Sequence, residues 1–437
     1  MKTWTALRLA ASLGVAALLI AACGSRGKDG TEPLAEGKLP EASKQPVSIK
    51  FFIDPAYLND DEVRMALTEP LRTKYPHIRL DVVRPSKDTT LETLIAANDI
   101  PDLHISWNGA LNYLTDLGIV DDLEPMIRNE RFDLSRFEPA AIAAMKNEAG
   151  DGHLYGIPYV MNFQLMYYNK DLFDQAGAPY PTDGMTWEEV IGLGKQVSGK
   201  LGAPYKGLLA GFNEMRFQLS LPLVDPATKQ AAVASEPWKK VFETAYRALK
   251  ASPESDRPAS FGTDRNVAMW AAKNRNNTLK EPSEAGLQWD VVQFPGFAEK
   301  PGIGSQVDAH VVYMSPTSKH KEEAFRVIET LTSDEAQRKL SRIGKLPALN
   351  DNRIVGQFAE DVSYLRGKNW KGVFQGKFGL PPKRVMDESL VLKFALQAFD
   401  QYASGQADLN TALRTAAEQI DQVAEQKIAN RQRRLVP

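Results

Sequence analysis

Short apolar runs alternate with longer stretches of helical apolar spacing, and the alternation starts at residue 47. Residues 47–54, VSIKFFID, read as a strand that meets a turn at Asp54-Pro55. Asn59-Asp60-Asp61-Glu62 then has the form of a capping box, in which Asn59 accepts the third N–H and Glu62 reaches back. The helix it opens carries Val63, Met65, Ala66 and Leu67 before Pro70 and ends by Tyr75-Pro76. A second strand is expected at 78–84, a helix at 89–97 with a Thr89-to-Glu92 box, a third strand leading through 100–107, and a helix at 108–117. Connections of this length are not hairpins, so the strands are expected to be parallel, in an α/β domain with helices on both faces. Ligands of such sheets sit beyond the carboxyl ends of the strands, here Asp54-Pro55, Pro85-Ser86-Lys87 and Trp107-Asn108-Gly109.

The densest patterning lies in 151–190. Asp151-Gly152 is a turn dipeptide, 164–168 is a short apolar strand, and 170–176 is a helix with Gly177 placed to close it and Pro179 beyond. Thr186-Trp187-Glu188-Glu189 opens another helix through a capping box. Farther on, 207–221 reads as a polar and aromatic loop facing a cleft, 238–251 as an amphipathic helix, and 266–277 as a strand with its following turn. Strands follow at 289–294 and 311–314 and helices at 321–331 and after a Thr332-to-Glu335 box, while the helical tail 390–428 breaks near Ser404-Gly405.

Length and composition add two domains and subtract several functions. A chain of 437 residues exceeds one ordinary domain, and its formal net charge of −2 has no basic concentration that would suit nucleic acid. Residues 1–22 read as a signal peptide, with Lys2 and Arg8 ahead of an apolar stretch too short for a good membrane span. Its end, Ile20-Ala21-Ala22-Cys23, resembles the lipobox of bacterial lipoproteins, in which Cys23 would carry the lipid. Cys23 is the single cysteine, so no internal disulfide forms. Residues 23–46 then hold the anchor and a tether rich in Gly, Pro, Ser and charge.

The run YGIPY…LMYYNKDLFDQAG…P…TWEEV resembles bacterial extracellular solute-binding proteins of the sugar-binding type, receptors of ATP-binding-cassette importers similar in plan to maltose-binding protein. PDLHISW and the segments near 119–126, 266–277 and 344–349 resemble the same family. Residues 266–277 depart from it where Trp270 follows Met269 and Ala-Ala-Lys stands for a Gly-rich turn. The resemblance implies a periplasmic-binding-protein-like fold: two discontinuous lobes, 47–160 with 307–348 and 161–306 with 349–437, joined by three crossover strands around a cleft. It further implies a lipid-anchored receptor on the outer face of the cell membrane that is not an enzyme, needs no cofactor or metal, is monomeric, and meets permease subunits. Its implied ligand is an oligosaccharide or another polyhydroxylated molecule, bound by lobe closure.

The chain has no nucleophile elbow, phosphate-binding loop or dinucleotide fingerprint. Its five histidines lack metal-ligand spacing, and adjacent carboxylates such as Asp121-Asp122 and Glu188-Glu189 do not face one another across a substrate. Sugar recognition needs flat aromatic faces and planar polar groups that fork onto hydroxyls. At strand ends and crossovers the aromatic candidates are Trp107, Tyr159, Phe212, Trp270 and Trp370. The polar ones are Asp54, Asn108, Asn162, Gln164, Arg216, Asn274, Asp308 and His310, while Trp187, Trp238 and Trp289 read as packing. Three other readings stay open: a cell-envelope carbohydrate-active lyase or hydrolase, a surface protein that keeps the binding fold as a sensor or adhesin, and a receptor for a phosphate-bearing or amine ligand, with Arg216 and Lys345 as phosphate partners.

Overall fold

A computed structural model describes residues 45–255 and 257–435; the lipobox and Cys23 lie outside the described residues. Its strands, in chain order, are β1 (Val47–Phe52), β2 (Ile78–Val83), β3 (Leu103–Trp107), β4 (Gly156–Asn162), β5 (Gln164–Asn169) and β6 (Lys206–Ala210). They continue with β7 (Val267–Lys273), β8 (Trp289–Gln293), β9 (Ile303–Gln306), β10 (Asp308–Met314), β11 (Leu346–Pro347) and β12 (Lys377–Gly379). Six strands form one sheet in the order β11-β4-β10-β3-β1-β2, four form a second in the order β6-β7-β5-β8, and β12 pairs with β9.

The parallel expectation holds only in part. β1 pairs in parallel with β2 and β3, and β6 with β7, but β10 runs antiparallel to β3 and β4, and β5 runs antiparallel to β7 and β8. The reason is topological: strands that arrive from the other sheet enter against the direction of the βαβ units. Only Phe163 separates β4 in the first sheet from β5 in the second, and only Val307 separates β9 from β10. β11 then pairs Leu346 with Met161 and Pro347 with Val160, which sets a third passage beside the first.

Local signals explain most helix starts. Asn59 and Glu62 exchange side-chain and backbone bonds in a full capping box, and so do Thr186 and Glu189. Gly177 closes the helix Lys170–Ala176 in the left-handed region, where a Cβ would be strained. Near residue 90 the cap is Thr90, bonded reciprocally with Thr93, in place of Thr89 with Glu92. Ser333 caps through the Ala336 N–H without a return bond. Pro70 does not end its helix. A π turn over Arg64–Thr68 precedes it, and the helix resumes over Glu69–Lys74 with the proline in its first turn, where a missing N–H is tolerated. The segment read as a loop at 207–221 is β6 followed by a helix, Phe212–Gln218. Its buried face is Phe212, Met215 and Arg216, a helical spacing that the arginine disguises as polar.

Two apolar cores result. Ile49, Phe51, Ile105, Ile157, Val311 and Phe325 belong to the first, and Met166, Phe173, Trp187, Trp238, Phe242 and Ile420 to the second. Trp187 and Trp238 are packing residues, as their helical positions suggest.

One histidine in the first core is exceptional. His104 on β3 is fully buried, stacks on Tyr313 with ring centroids 5.5 Å apart, and neither ring nitrogen has a hydrogen-bond partner. Burial pulls its pKa down to about 3 and that of His310 down to about 4. Both histidines are more basic in the unfolded chain than in the folded one. Their contribution to stability is therefore complete above the ordinary value of 6.5 and is lost as pH falls toward the folded values. Each unit of depression is worth about 1.4 kcal/mol. Scanning calorimetry across this range should show a midpoint that is flat above 6.5 and falls below it. His104→Phe should flatten the acid limb and leave the midpoint at neutral pH unchanged or higher.

Candidate functional site

Where the first and second sheets meet, a cavity of about 300 Å³ opens. Val160, Met161 and Asn162 from the end of β4 and His310 from β10 line its floor. One wall comes from the turn and helix after β1, at Ala56 and Glu62, together with residues 343–346. The opposite wall is the polar run 273–278 that leaves β7, KNRNNT. The cavity thus touches both sheets and two of the chain passages between them.

Its polar groups are held in place. Asn162 Nδ2 lies 3.2 Å from His310 Nε2, and Tyr57 meets the same imidazole edge-on with centroids 4.7 Å apart. His310 Nδ1 has no partner. Burial keeps this ring neutral down to about pH 4, so Nε2 can accept from the Asn162 amide while the buried Nδ1 carries the proton, and the imidazole fixes the orientation of that amide. Asp308, opposite Asn162 across the β4–β10 pair, forms an ion pair of 2.5 Å with Lys273 of β7. Burial opposes ionisation of Asp308, but the Lys273 ammonium outweighs it and holds the carboxyl below the usual range. Lys345 donates to the Tyr57 carbonyl at 2.9 Å and sits 3.3 Å from Glu62, so the two segments of the first wall are tied together. Asn274 donates its backbone N–H to Phe163 at 2.9 Å, and its side chain accepts from Asn276 N–H at 3.0 Å. That pins the second wall to the passage between the sheets.

Of the sequence candidates, Asn162, Asn274 and His310 line this cavity and Asp308 adjoins it. Asp54 caps the turn that carries Ala56 and Tyr57 by accepting the Ala56 N–H at 2.8 Å. Gln164 faces a smaller cavity, of about 140 Å³, together with Phe163, Ser305 and Leu346. Five candidates stand in the interior instead. Phe212 packs on Trp238, Phe242 and Phe399, and Trp370 packs among Phe163, Phe358 and Phe374 with its N–H on the Leu365 carbonyl. Tyr159 is fully buried behind His310, with its hydroxyl unpartnered. Arg216 is buried against Glu388, and Asn108 uses both ends of its amide on Glu148 and the Ala309 N–H. Trp270 is half-buried in a cluster with Tyr167 and Phe261. Trp107, half-buried at the end of β3, lies under the guanidinium of Arg384, 5.1 Å from the ring centroid. Sequence could not separate these from cleft residues, because a strand end serves a core and a cleft equally well. It also passed over Tyr57, Lys273 and Arg275. The polar density of KNRNNT was the available signal for the last two.

A family model described as bacterial extracellular solute-binding protein matches residues 67–363. The chain belongs to that family. Among curated relatives of this solute-binding protein, the arabinooligosaccharide-binding protein of Halalkalibacterium halodurans is 32% identical over 116 residues, which is 26% of this chain and 23% of the relative. The lactose-binding protein of Rhizobium radiobacter is 25% identical over 217 residues, 45% of this chain and 49% of the relative. Either match spans less than half of the relative's length. In three dimensions the fold is similar to an ABC substrate-binding protein from Listeria monocytogenes solved with cycloalternan. The TM-score is 0.70 at 21% identity, over 87% of this chain and 99% of the other. That likeness establishes the two-lobe periplasmic-binding-protein fold for this solute-binding protein.

Proposed function

We propose that this chain is the substrate receptor of an ATP-binding-cassette importer and that it takes an oligosaccharide in the cavity between its two sheets. The observation that carries the reading is the cavity wall itself: Asn162, Asn274 and a neutral His310 converge there from both sheets and from a chain passage. Side-chain amides, one of them oriented by the neutral imidazole, match the mixed donors and acceptors of sugar hydroxyls. The sugar ligands in the names of the family relatives support the same class. In this reading the protein does no covalent chemistry, since Asp308 is engaged by Lys273 and Glu62 by Lys345. Lobes that close on the ligand shift a pre-existing equilibrium by the difference in affinity between the open and closed forms. Permease subunits would read the closed form, and a monomer held by lipid at Cys23 on the outer face of the cell membrane would deliver it. The decisive experiment is titration calorimetry of the lipid-free protein against a panel of gluco-, arabino- and galacto-oligosaccharides, sn-glycerol 3-phosphate and spermidine. Saturable one-to-one binding of a saccharide is the expected result, and binding of the amine alone would sink the assignment. A phosphate-bearing ligand is the second reading, because Lys273, Arg275 and Lys345 all lie on the cavity wall and Arg275 is exposed there. Preference for glycerol 3-phosphate over every neutral sugar in the same panel would select it.

A further inference from the structure

Outside the cavity, a chain of buried charges runs from one core to the other. Arg216, on the helix Phe212–Gln218 of the second core, lies 3.2 Å from Glu388. Glu388 also accepts the Leu223 N–H at 2.8 Å and is 3.8 Å from Arg384 Nε. Arg384 Nη1 in turn is 2.6 Å from Glu148, on the helix Pro139–Ala149 of the first core. Side-chain exposure of Arg384 and Glu148 is 1% and 2%, so this contact is fully withdrawn from water. Around Arg384 the backbone is bound to the first lobe: Asn147 donates to the Pro381 carbonyl at 2.8 Å and Asn112 to the Arg384 carbonyl at 3.1 Å. Two residues later, Met386 is buried in the second core.

We infer that residues 381–388 form a strap that latches the two lobes together through Arg384, whose guanidinium is seated between the Trp107 ring and the Glu148 carboxylate. The seat has the chemistry of a cation site, an aromatic face opposite a buried anion. Asn108 steadies the anion from below, and burial pushes the Glu148 pKa up while Arg384 and Asn108 draw it back. Arg384 is held there mainly by charge. Its Nε and Nη1 hydrogens point along no acceptor, although Glu148 is close. When the lobes part, both charges regain water, so release does not strand either ion. Truncation of one partner without separation does strand the other. Paired with the Glu148 carboxylate and stacked on Trp107, Arg384 favours the closed arrangement before any ligand arrives, and it keeps one face of Trp107 covered by the protein's own cation.

Small-angle scattering of the ligand-free protein tests this without a saccharide. Its outcome is independent of whether the receptor reading survives. Arg384→Ala should raise the radius of gyration above wild type, and added methylguanidinium, which fits the vacated seat, should return it. Glu148→Gln/Arg384→Met removes both charges, leaves no stranded ion, and should be folded by circular dichroism, expanded beyond wild type though less than Arg384→Ala, and indifferent to methylguanidinium. If Arg384→Ala fails to fold, the double variant carries the test. A wild-type radius in the double variant, or in a folded Arg384→Ala, would overturn the latch.

Discussion

Replacing Arg216 by Met is expected to lower the unfolding free energy by about 3–5 kcal/mol, read by equilibrium denaturation. Arg216 carries a buried charge beside Glu388, with its Nε on Asn213 at 2.8 Å and Nη1 on the Leu221 carbonyl at 3.1 Å. Its guanidinium also lies over Phe217 and Trp238. Removing the cation leaves Glu388 in the interior with only the Leu223 N–H and the more distant Arg384 guanidinium, 3.8 Å away, and that under-compensated anion, more than the lost contacts, produces the loss. The double variant Arg216→Met/Glu388→Met should recover part of it, because an apolar pair needs no partner. An equal loss in both variants would show that the charge is not the cause.

Asn162→Ala should act in the opposite manner, on affinity and not on stability. Asn162 closes the cavity floor where β4 gives way to β5, and its amide supports His310. Truncation leaves the imidazole unsupported and removes a planar group that can fork onto two hydroxyls, a loss of roughly 1–3 kcal/mol. Affinity for the best saccharide should fall about 10- to 100-fold in calorimetry. The thermal midpoint should stay near wild type, since the side chain is only partly buried. A large fall in midpoint with affinity preserved would return Asn162 to the structural residues.

The contrast between Arg216 and Asn162 marks how far the sequence could be read. Capping boxes at Asn59 and Thr186 and the closing Gly177 are local, so their chemistry sits within a few residues and was legible. Strand direction was less so, because β10 pairs with β3 and β4 only after the chain has visited the second sheet. Aromatic roles were the least legible. Trp270 and Trp370 have strand-end or loop positions that suit a sugar platform, yet Tyr167 and Phe261 surround one and Phe358 and Phe374 the other. Lys273 with Asp308 and Arg384 with Glu148 are pairs between distant segments, and nothing along the chain announces either. Family resemblance supplied the architecture; the cavity and its neutral imidazole came from tertiary placement.

The most direct test of an oligosaccharide held between the two lobes is hydrogen–deuterium exchange of the protein with and without its best-binding saccharide. Simultaneous protection of both cavity walls, residues 56–62 with 343–346 and residues 273–278, is the predicted result. Protection confined to one wall, or to a surface away from residues 160–162, would contradict it.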